Sequence, residues 1–336
     1  MEIFINSYGA YLHVRDEMFV VRTKEADTDT FKDSPPVAPH KVERIFMTKS
    51  QSLSTDVIVL ALRYNVDIVF LEYEDGRPIG RIWHSKLGST VRIRKRQLEA
   101  SISNEGLAWV KHWIGQKLEG HISFLADLKK HRPAQHPRIE STIQELGTAI
   151  TQINALHAEN TPAVADQIRG LEGQAARQYY ALIGELLPDD ARFAGRSQRP
   201  AKDPFNAALN YIYGILYAQV ERALIIAGID PYVGFLHRDD YNQLSMVFDF
   251  IEPYRIYGQR VAFRMFSRKM FKQAYISPLA NGVRLNDEGK PFVVQQFNEY
   301  FREERIKYRG RNQSRANALQ MDAHAFAGAL LKNERP

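Results

Sequence analysis

Val91-Arg92-Ile93-Arg94-Lys95-Arg96-Gln97-Leu98 is the stretch at which the chain changes character. Before it, short apolar runs alternate with turn residues, the pattern of strands. After it, apolar residues recur at helical spacing and strand signals become rare. The stretch itself lies at the domain junction, has four basic residues and opens the first long helix. It predicts an α+β, two-domain protein: a small N-terminal β domain, sandwich- or roll-like, over residues 1–88, and a larger all-α domain over residues 89–336.

Working toward the N-terminus, Ile3-Phe4-Ile5 and Tyr11-Leu12-His13-Val14-Arg15 read as strands around a Tyr8-Gly9 turn. Met18-Phe19-Val20-Val21 completes a hairpin across Asp16-Glu17. Pro35-Pro36 and Pro39 mark a loop. Ile45-Phe46-Met47, Val66 to Leu71 and Ile79 to Trp83 are further strands. Between them, Ser54 and Thr55 suit the cap of a short helix ending near Leu62. A junction is expected near residues 85 to 92.

Working the other way, residues 130 to 165 are polar and contain Pro133, Pro137 and Pro162, which suits a surface helix with loose connections. Asp203-Pro204 to Ala227 is the clearest helix. Asp203 fits the N-cap, Pro204 the first turn, and Gly228 the stop. Residues 302 to 315 hold six basic and two acidic side chains. That stretch is expected to be mobile in the free protein, followed by a weakly anchored helix.

The 336 residues suit roughly two domains of about 150 residues each. A hydrophobic fraction of 44% is enough for packed cores. The net charge of +6 admits a nucleic-acid partner without establishing one, because distribution matters more than total. The absence of cysteine excludes disulfides, thiolate zinc sites and a cysteine nucleophile, and suits a reducing compartment. The N-terminus lacks the basic and apolar regions of a signal peptide, and no apolar run is long enough to span a membrane. A cytoplasmic protein is expected.

Three segments carry chemistry: Ile168-Arg169-Gly170-Leu171-Glu172-Gly173, Gly234-Phe235-Leu236-His237, and Asp249-Phe250-Ile251-Glu252-Pro253-Tyr254-Arg255. Together they offer carboxylates and an imidazole, a set able to hold a hard divalent cation with positions left open for a phosphate oxygen. Each also has a plain structural explanation. Glu172, at an expected helix start between glycines, and the pair Asp249 and Glu252, at another, suit the helix dipole. His237 in an apolar stretch suits a hydrogen-bonded core position.

The order of these segments and the sequence between them resemble one family. The matching residues include Arg169-Gly170-Leu171-Glu172-Gly173, Ala175-Ala176-Arg177, Tyr179-Tyr180, Arg192-Phe193 and Arg199-Pro200. They continue through Asp203-Pro204-Phe205-Asn206-Ala207, Leu209-Asn210, Tyr213-Gly214, Ala227-Gly228, Asp230-Pro231, Gly234-Phe235-Leu236-His237, Ser245, Asp249 and Glu252-Pro253-Tyr254-Arg255. The chain is similar to the CRISPR-associated integrase of the adaptation step, a metal-dependent enzyme that inserts spacers into the repeat array. The resemblance covers most of the chain and is strongest from Ile168 to Arg255.

The resemblance implies that Glu172, His237 and Glu252 are metal ligands and catalytic, with Asp249 a possible additional acid and Mg²⁺ or Mn²⁺ the ion. It implies double-stranded DNA as the partner, both spacer precursor and repeat array. Candidate DNA contacts are Arg177, Arg199, Lys202, Tyr213, Arg238 and Arg255, with the junction residues Arg92, Arg94, Lys95 and Arg96 and the loop residue Arg196 along the same track. It further implies a homodimer through the β domain and a small ferredoxin-like companion adaptation protein. Where relatives commonly show Lys-x-x-Asn-Gln, this chain has Lys117-Leu118-Glu119-Gly120-His121, a departure that bears on packing rather than on the metal site. Two alternatives stand: a transposon-type integrase of the same superfamily, and a DNA-bridging scaffold with reduced catalysis.

Overall fold

The structure is a computed structural model describing residues 1–5, 7–24, 30–72, 78–82, 90–237 and 243–336. It divides into two compact units, Met1–Leu87 and Gly88–Pro336. Trp83, Arg238 and most of the expected junction lie outside the described residues.

The first unit holds β1 (Glu2–Phe4), β2 (Tyr11–Arg15), β3 (Met18–Lys24), β4 (Phe31–Asp33), β5 (Arg44–Met47), β6 (Ser52–Leu53), α1 (Thr55–Arg63), β7 (Asp67–Leu71) and β8 (Pro78–Ile82). Two four-stranded sheets form, in the orders β1-β5-β7-β8 and β4-β3-β2-β6. In the first, β1, β5 and β7 run parallel and β8 closes antiparallel. Asp16 and Glu17 both take left-handed φ, 52° and 55°, in the two-residue turn joining β2 to β3. Those angles match the twist of a tight hairpin. Ser54 caps α1 by accepting from the Val57 amide. Leu12 and Phe19 of one sheet, Ile45 and Ile68 of the other, and Val57 and Leu60 of α1 share one apolar core.

Charge is also buried in this unit. Arg44 on β5 is 1% exposed, with its guanidinium 3.1 Å from Glu2 on β1 and 3.5 Å from Asp67 on β7. Arg81 on β8 reaches the same Asp67 carboxylate at 3.5 Å. A ladder of alternating charge therefore crosses all four strands.

The second unit is mostly helical: α2 (Thr90–Ser101), α3 (Asn104–Lys129), α4 (His136–Ala155), α5 (Ala165–Glu185), α6 (Pro204–Ala227), α7 (Ser245–Phe250) and α8 (Arg255–Ser267). Then follow β9 (Ile276–Leu279), β10 (Gly282–Leu285), α9 (Gly289–Asn298), β11 (Arg305–Tyr308), β12 (Arg311–Ser314) and α10 (Arg315–Lys332). The hairpins β9–β10 and β11–β12 are additions to the all-helical expectation. α6 begins and ends as its sequence dictates. Asp203 accepts from the Asn206 amide at 2.8 Å, and Gly228 stops the helix at φ 85°. Seventeen of its residues are buried, so α6 runs through the core rather than along its edge. Trp109 and Trp113 of α3 pack edge-on against Phe326 of α10, with centroids 4.8 and 5.2 Å away.

That contact corrects the expectation of a weakly anchored C-terminal helix. Burying Phe326 contributes about 1.5–3 kcal/mol, and Leu319, Ala323 and Leu330 bury the same face. The basic stretch before it is likewise ordered into β11–β12 rather than free. Tyr308 and Arg309 both bind Asp322 on α10, and Arg315 donates to the Tyr300 carbonyl at 2.6 Å. Arg302 binds Gln219 of α6.

Candidate metal centre

Three elements meet around one buried lysine. Lys117 lies on α3, on the stripe Val110, Trp113, Ile114, Leu118, His121 and Leu125 that faces the core, and is 8% exposed. Its ammonium touches Glu172 of α5 and stands 2.6 Å from Glu252. Glu252 is also bound by the Arg255 guanidinium at 2.8 Å. Two carboxylates from separate segments thus share one cation, and Arg255 brings the local count to two negative and two positive groups.

The pKa values follow from this arrangement. Burial alone would raise the Glu252 carboxyl, but Arg255 and Lys117 outweigh it and hold it down to about 2. Burial likewise opposes the charge on Lys117, and the two glutamates overcome it, raising the ammonium above its ordinary value. Behind them, His121 is fully buried, stacked on Tyr179 with centroids 3.8 Å apart, and driven down to about 3 by burial and by Lys117. It is neutral at neutral pH.

Glu172 stands within α5, two turns from its start, not at a helix N-terminus. A side chain added at Gly170 would meet nothing within 4 Å, and one at Gly173 only the end of Arg177. The glycines therefore leave bare backbone beside Glu172 rather than serving a close protein contact. Glu252 does open a helical turn, Glu252–Tyr254, but Asp249 belongs to the preceding α7. Pro253 has no amide to continue α7, and a 3₁₀ turn over Glu252–Tyr254 leads on into α8. The two acids, expected on one helical face, consequently serve different partners.

Asp249 is 2% exposed and clamps the loop that carries His237. One of its oxygens accepts from the amides of Phe235 and Leu236. The other accepts from the His237 amide at 3.2 Å and lies 2.6 Å from His237 Nδ1. An ionised carboxylate can only accept, so Nδ1 carries the proton and Nε2 is the nitrogen left for a cation. This is the arrangement by which a carboxylate orients a metal-binding histidine. Gly234 is required here: a Cβ would stand 2.6 Å from Ser245 Cβ and 3.1 Å from the Asp249 carboxylate.

Two further side chains hold the loop. Gln97 of α2 donates to the carbonyls of Asp230 and Val233 at 2.9 and 2.8 Å and accepts from the Asp230 amide. Arg169, one turn before Glu172 on α5, donates to the Leu236 carbonyl at 3.2 Å. The helix of Glu172 is thereby tied to the loop of His237. Among the described residues, no three His, Asp or Glu side chains converge closely enough to hold an ion as they stand. The donor chemistry nevertheless fits one, since Glu172 and Glu252 already flank a cation and Nε2 of His237 is oriented by Asp249.

The expected DNA contacts divide. Arg177 and Arg199 are exposed. Lys202 is exposed but donates to the Asn281 carbonyl at 2.8 Å. Arg238 lies outside the described residues. Tyr213 is buried, its hydroxyl bound to Tyr180 and Gln259, so it stabilises the interior instead of facing outward. Arg255 is committed to Glu252 and Tyr217. Arg96 binds Glu99 and Glu105, and Arg196 binds Asn206 and Asn210. Sequence reasoning did not find Gln97, nor the contacts of Lys117 and Arg169. Lys117 had a signal, a lone cation on an apolar helical stripe, and it is the one residue of the Lys117–His121 stretch that keeps the family pattern; the departures are Gly120 and His121.

A sheet unit followed by a helical unit, with acids and an oriented imidazole gathered in the helical half, defines the class. The family model described as CRISPR associated protein Cas1 matches residues 3–299. The chain belongs to the Cas1 family. The CRISPR-associated endonuclease Cas1 1 of Archaeoglobus fulgidus is 29% identical over 346 residues, covering 100% of this chain and 97% of that protein. Among solved structures, a casposase bound to integration product superimposes with a TM-score of 0.84 at 19% identity, covering 100% of this chain and 92% of that one. A Cas6-RT-Cas1–Cas2 complex matches with a TM-score of 0.79 at 19% identity, over 99% of this chain and 35% of that one.

Proposed function

We propose that the protein is a divalent-metal-dependent DNA integrase and endonuclease that inserts new spacers into a CRISPR array. The observation that carries this reading is the Glu172–Lys117–Glu252 bridge, which brings two carboxylates from separate segments onto one cation. Family membership supports the reaction class. Glu172, Glu252 and Nε2 of His237 would hold Mg²⁺ or Mn²⁺. Held by these residues, such an ion would supply Lewis-acid chemistry, activating a 3′-hydroxyl and neutralising charge at the phosphodiester.

The chain's own residues then have distinct tasks. Asp249 fixes the His237 tautomer. Arg255 keeps Glu252 oriented and ionised. The bare backbone at Gly170 leaves room beside Glu172 for a DNA strand. Arg177 and Arg199 contact phosphates, setting affinity and register rather than sequence choice. Strand transfer exchanges one phosphodiester for another, so no energy source is required, and the reverse reaction cuts branched DNA.

A homodimer through the β unit and a small ferredoxin-like companion complete the machine. The Cas6-RT-Cas1–Cas2 likeness supports the companion. Sedimentation of residues 92–336 should show a monomer; a stable dimer would move the interface to the helices. The decisive assay is strand transfer of labelled short duplexes into a supercoiled array plasmid with Mn²⁺, with and without the companion. Glu172→Ala should abolish transfer and cleavage while DNA binding persists. Retained catalysis in that variant would refute the ligand assignment. The casposase likeness favours one second reading, a transposon-type integrase working on terminal inverted repeats. Donor ends bearing such repeats, outcompeting array-type substrates, would decide for it.

A further inference from the structure

The carboxylate pair is not waiting for a cation; it already holds one. Lys117 is 8% exposed, its ammonium touches Glu172, and it lies 2.6 Å from Glu252. With Arg255 also bound to Glu252, the charges of Glu172, Glu252, Lys117 and Arg255 sum to zero. A divalent ion added to this undisturbed set would leave an excess of two positive charges in a buried place, which is strongly unfavourable. One of the two side-chain cations has to give way.

Geometry selects which. Arg255 is fixed by Glu252 on one side and by the Tyr217 hydroxyl at 2.9 Å, with its guanidinium over the Tyr213 and Tyr217 rings. Among the described residues, the Lys117 ammonium pairs with the two glutamates alone. Its flexible four-carbon stem can swing without breaking anything else.

We propose that Lys117 is a built-in counter-cation of the ligand pair: its ammonium holds Glu172 and Glu252 together when no metal is bound, and a divalent ion enters by displacing it. Without a cation the two carboxylates would repel each other and the pair would spread. Lys117 thus keeps the ligands assembled at the cost of metal affinity. This rests on Glu172, His237 and Glu252 being the ligands.

The test uses the full chain with Lys117→Met and Lys117→Gln. Mn²⁺ affinity is read by titration with detection of free Mn²⁺ by magnetic resonance, and melting temperature is read with and without Mn²⁺. Both variants should melt lower than the parent without metal, recover with Mn²⁺, and bind Mn²⁺ at least about tenfold more tightly, because one opposing charge within about 4 Å has gone. Variants that fold only when Mn²⁺ is present also bear the inference out. Unchanged or weaker Mn²⁺ binding in both variants overturns it. So does failure to fold even with Mn²⁺, since an ion in that place should restore what the ammonium provided.

Glu172→Ala and His237→Ala separate the two levels. If they bind Mn²⁺ like the parent, the ligand assignment itself falls. If they lose Mn²⁺ while the Lys117 variants bind as the parent does, only the displacement falls.

Discussion

His237 and Asp249 are joined ring to carboxylate at 2.6 Å, and the same carboxylate collects the backbone amides of residues 235, 236 and 237. One side chain therefore sets both the course of the loop and the tautomer of the imidazole. Asp249→Asn would turn an amide donor toward groups that themselves donate. Mn²⁺ affinity and strand transfer should each fall about 10- to 100-fold, checked by metal titration and the plasmid assay. Parental values in this variant would remove Asp249 from the site.

Gly234 is the hinge of that clamp. Gly234→Ala places a methyl group 2.6 Å from Ser245 Cβ, a contact no rotamer can relieve. Stability should drop by about 1–3 kcal/mol, seen as a lower urea midpoint at unchanged slope. Transfer should fall further than stability explains, since Asp249 must shift as well.

His121 makes the helical unit sensitive to acid. Its folded pKa is lowered from 6.5 to about 3. Between those values the unfolded chain takes up a proton that the folded chain refuses. Stability therefore falls as pH drops from about 6.5 toward about 3, by up to about 1.4 kcal/mol per unit in mid-window. In His121→Gln, denaturant titrations across pH 4 to 6 should show a shallower slope than the parent. An identical slope would place the titration elsewhere.

How legible the site was depended on whether it was written locally. The α6 boundaries were readable because Asp203, Pro204 and Gly228 each act on their own backbone. In the first unit β1, β2, β3, β5, β7 and β8 were readable from short apolar runs between turn residues, whereas the two- and three-residue strands β6 and β4 were not. Glu172 reads in the sequence as a helix start, because glycines beside an acid imitate a cap; only packing shows α5 continuing through them. Spacing groups Asp249 with Glu252, whereas Asp249 binds the loop of His237 and Glu252 binds Lys117 and Arg255. The Lys117 contacts span 55 residues to Glu172, and no local pattern encodes a partner at that distance. The basic stretch was expected to move because its few apolar residues are scattered, yet Asp322 pins it from another element.

That pinning leaves Arg305, Lys307 and Arg311 exposed on an ordered hairpin. If the hairpin meets DNA phosphates, replacing all three with alanine should weaken binding equally across sequences. The slope of log affinity against log salt should flatten by roughly one unit per lost contact. An unchanged slope would show that they face solvent only.

The charged ladder through Glu2, Arg44, Asp67 and Arg81 has a consequence for assembly of the sheet. β1, β5 and β7 are short parallel strands drawn from distant parts of the chain, and their apolar residues are nearly interchangeable. Sliding one strand by two residues would keep every side chain on its own face and most apolar contacts tolerable. It would also strand a guanidinium or a carboxylate in a dry interior without its opposite. The ladder thus works as a keyed lock: it adds little attraction of its own, and it makes every misaligned pairing forbiddingly poor.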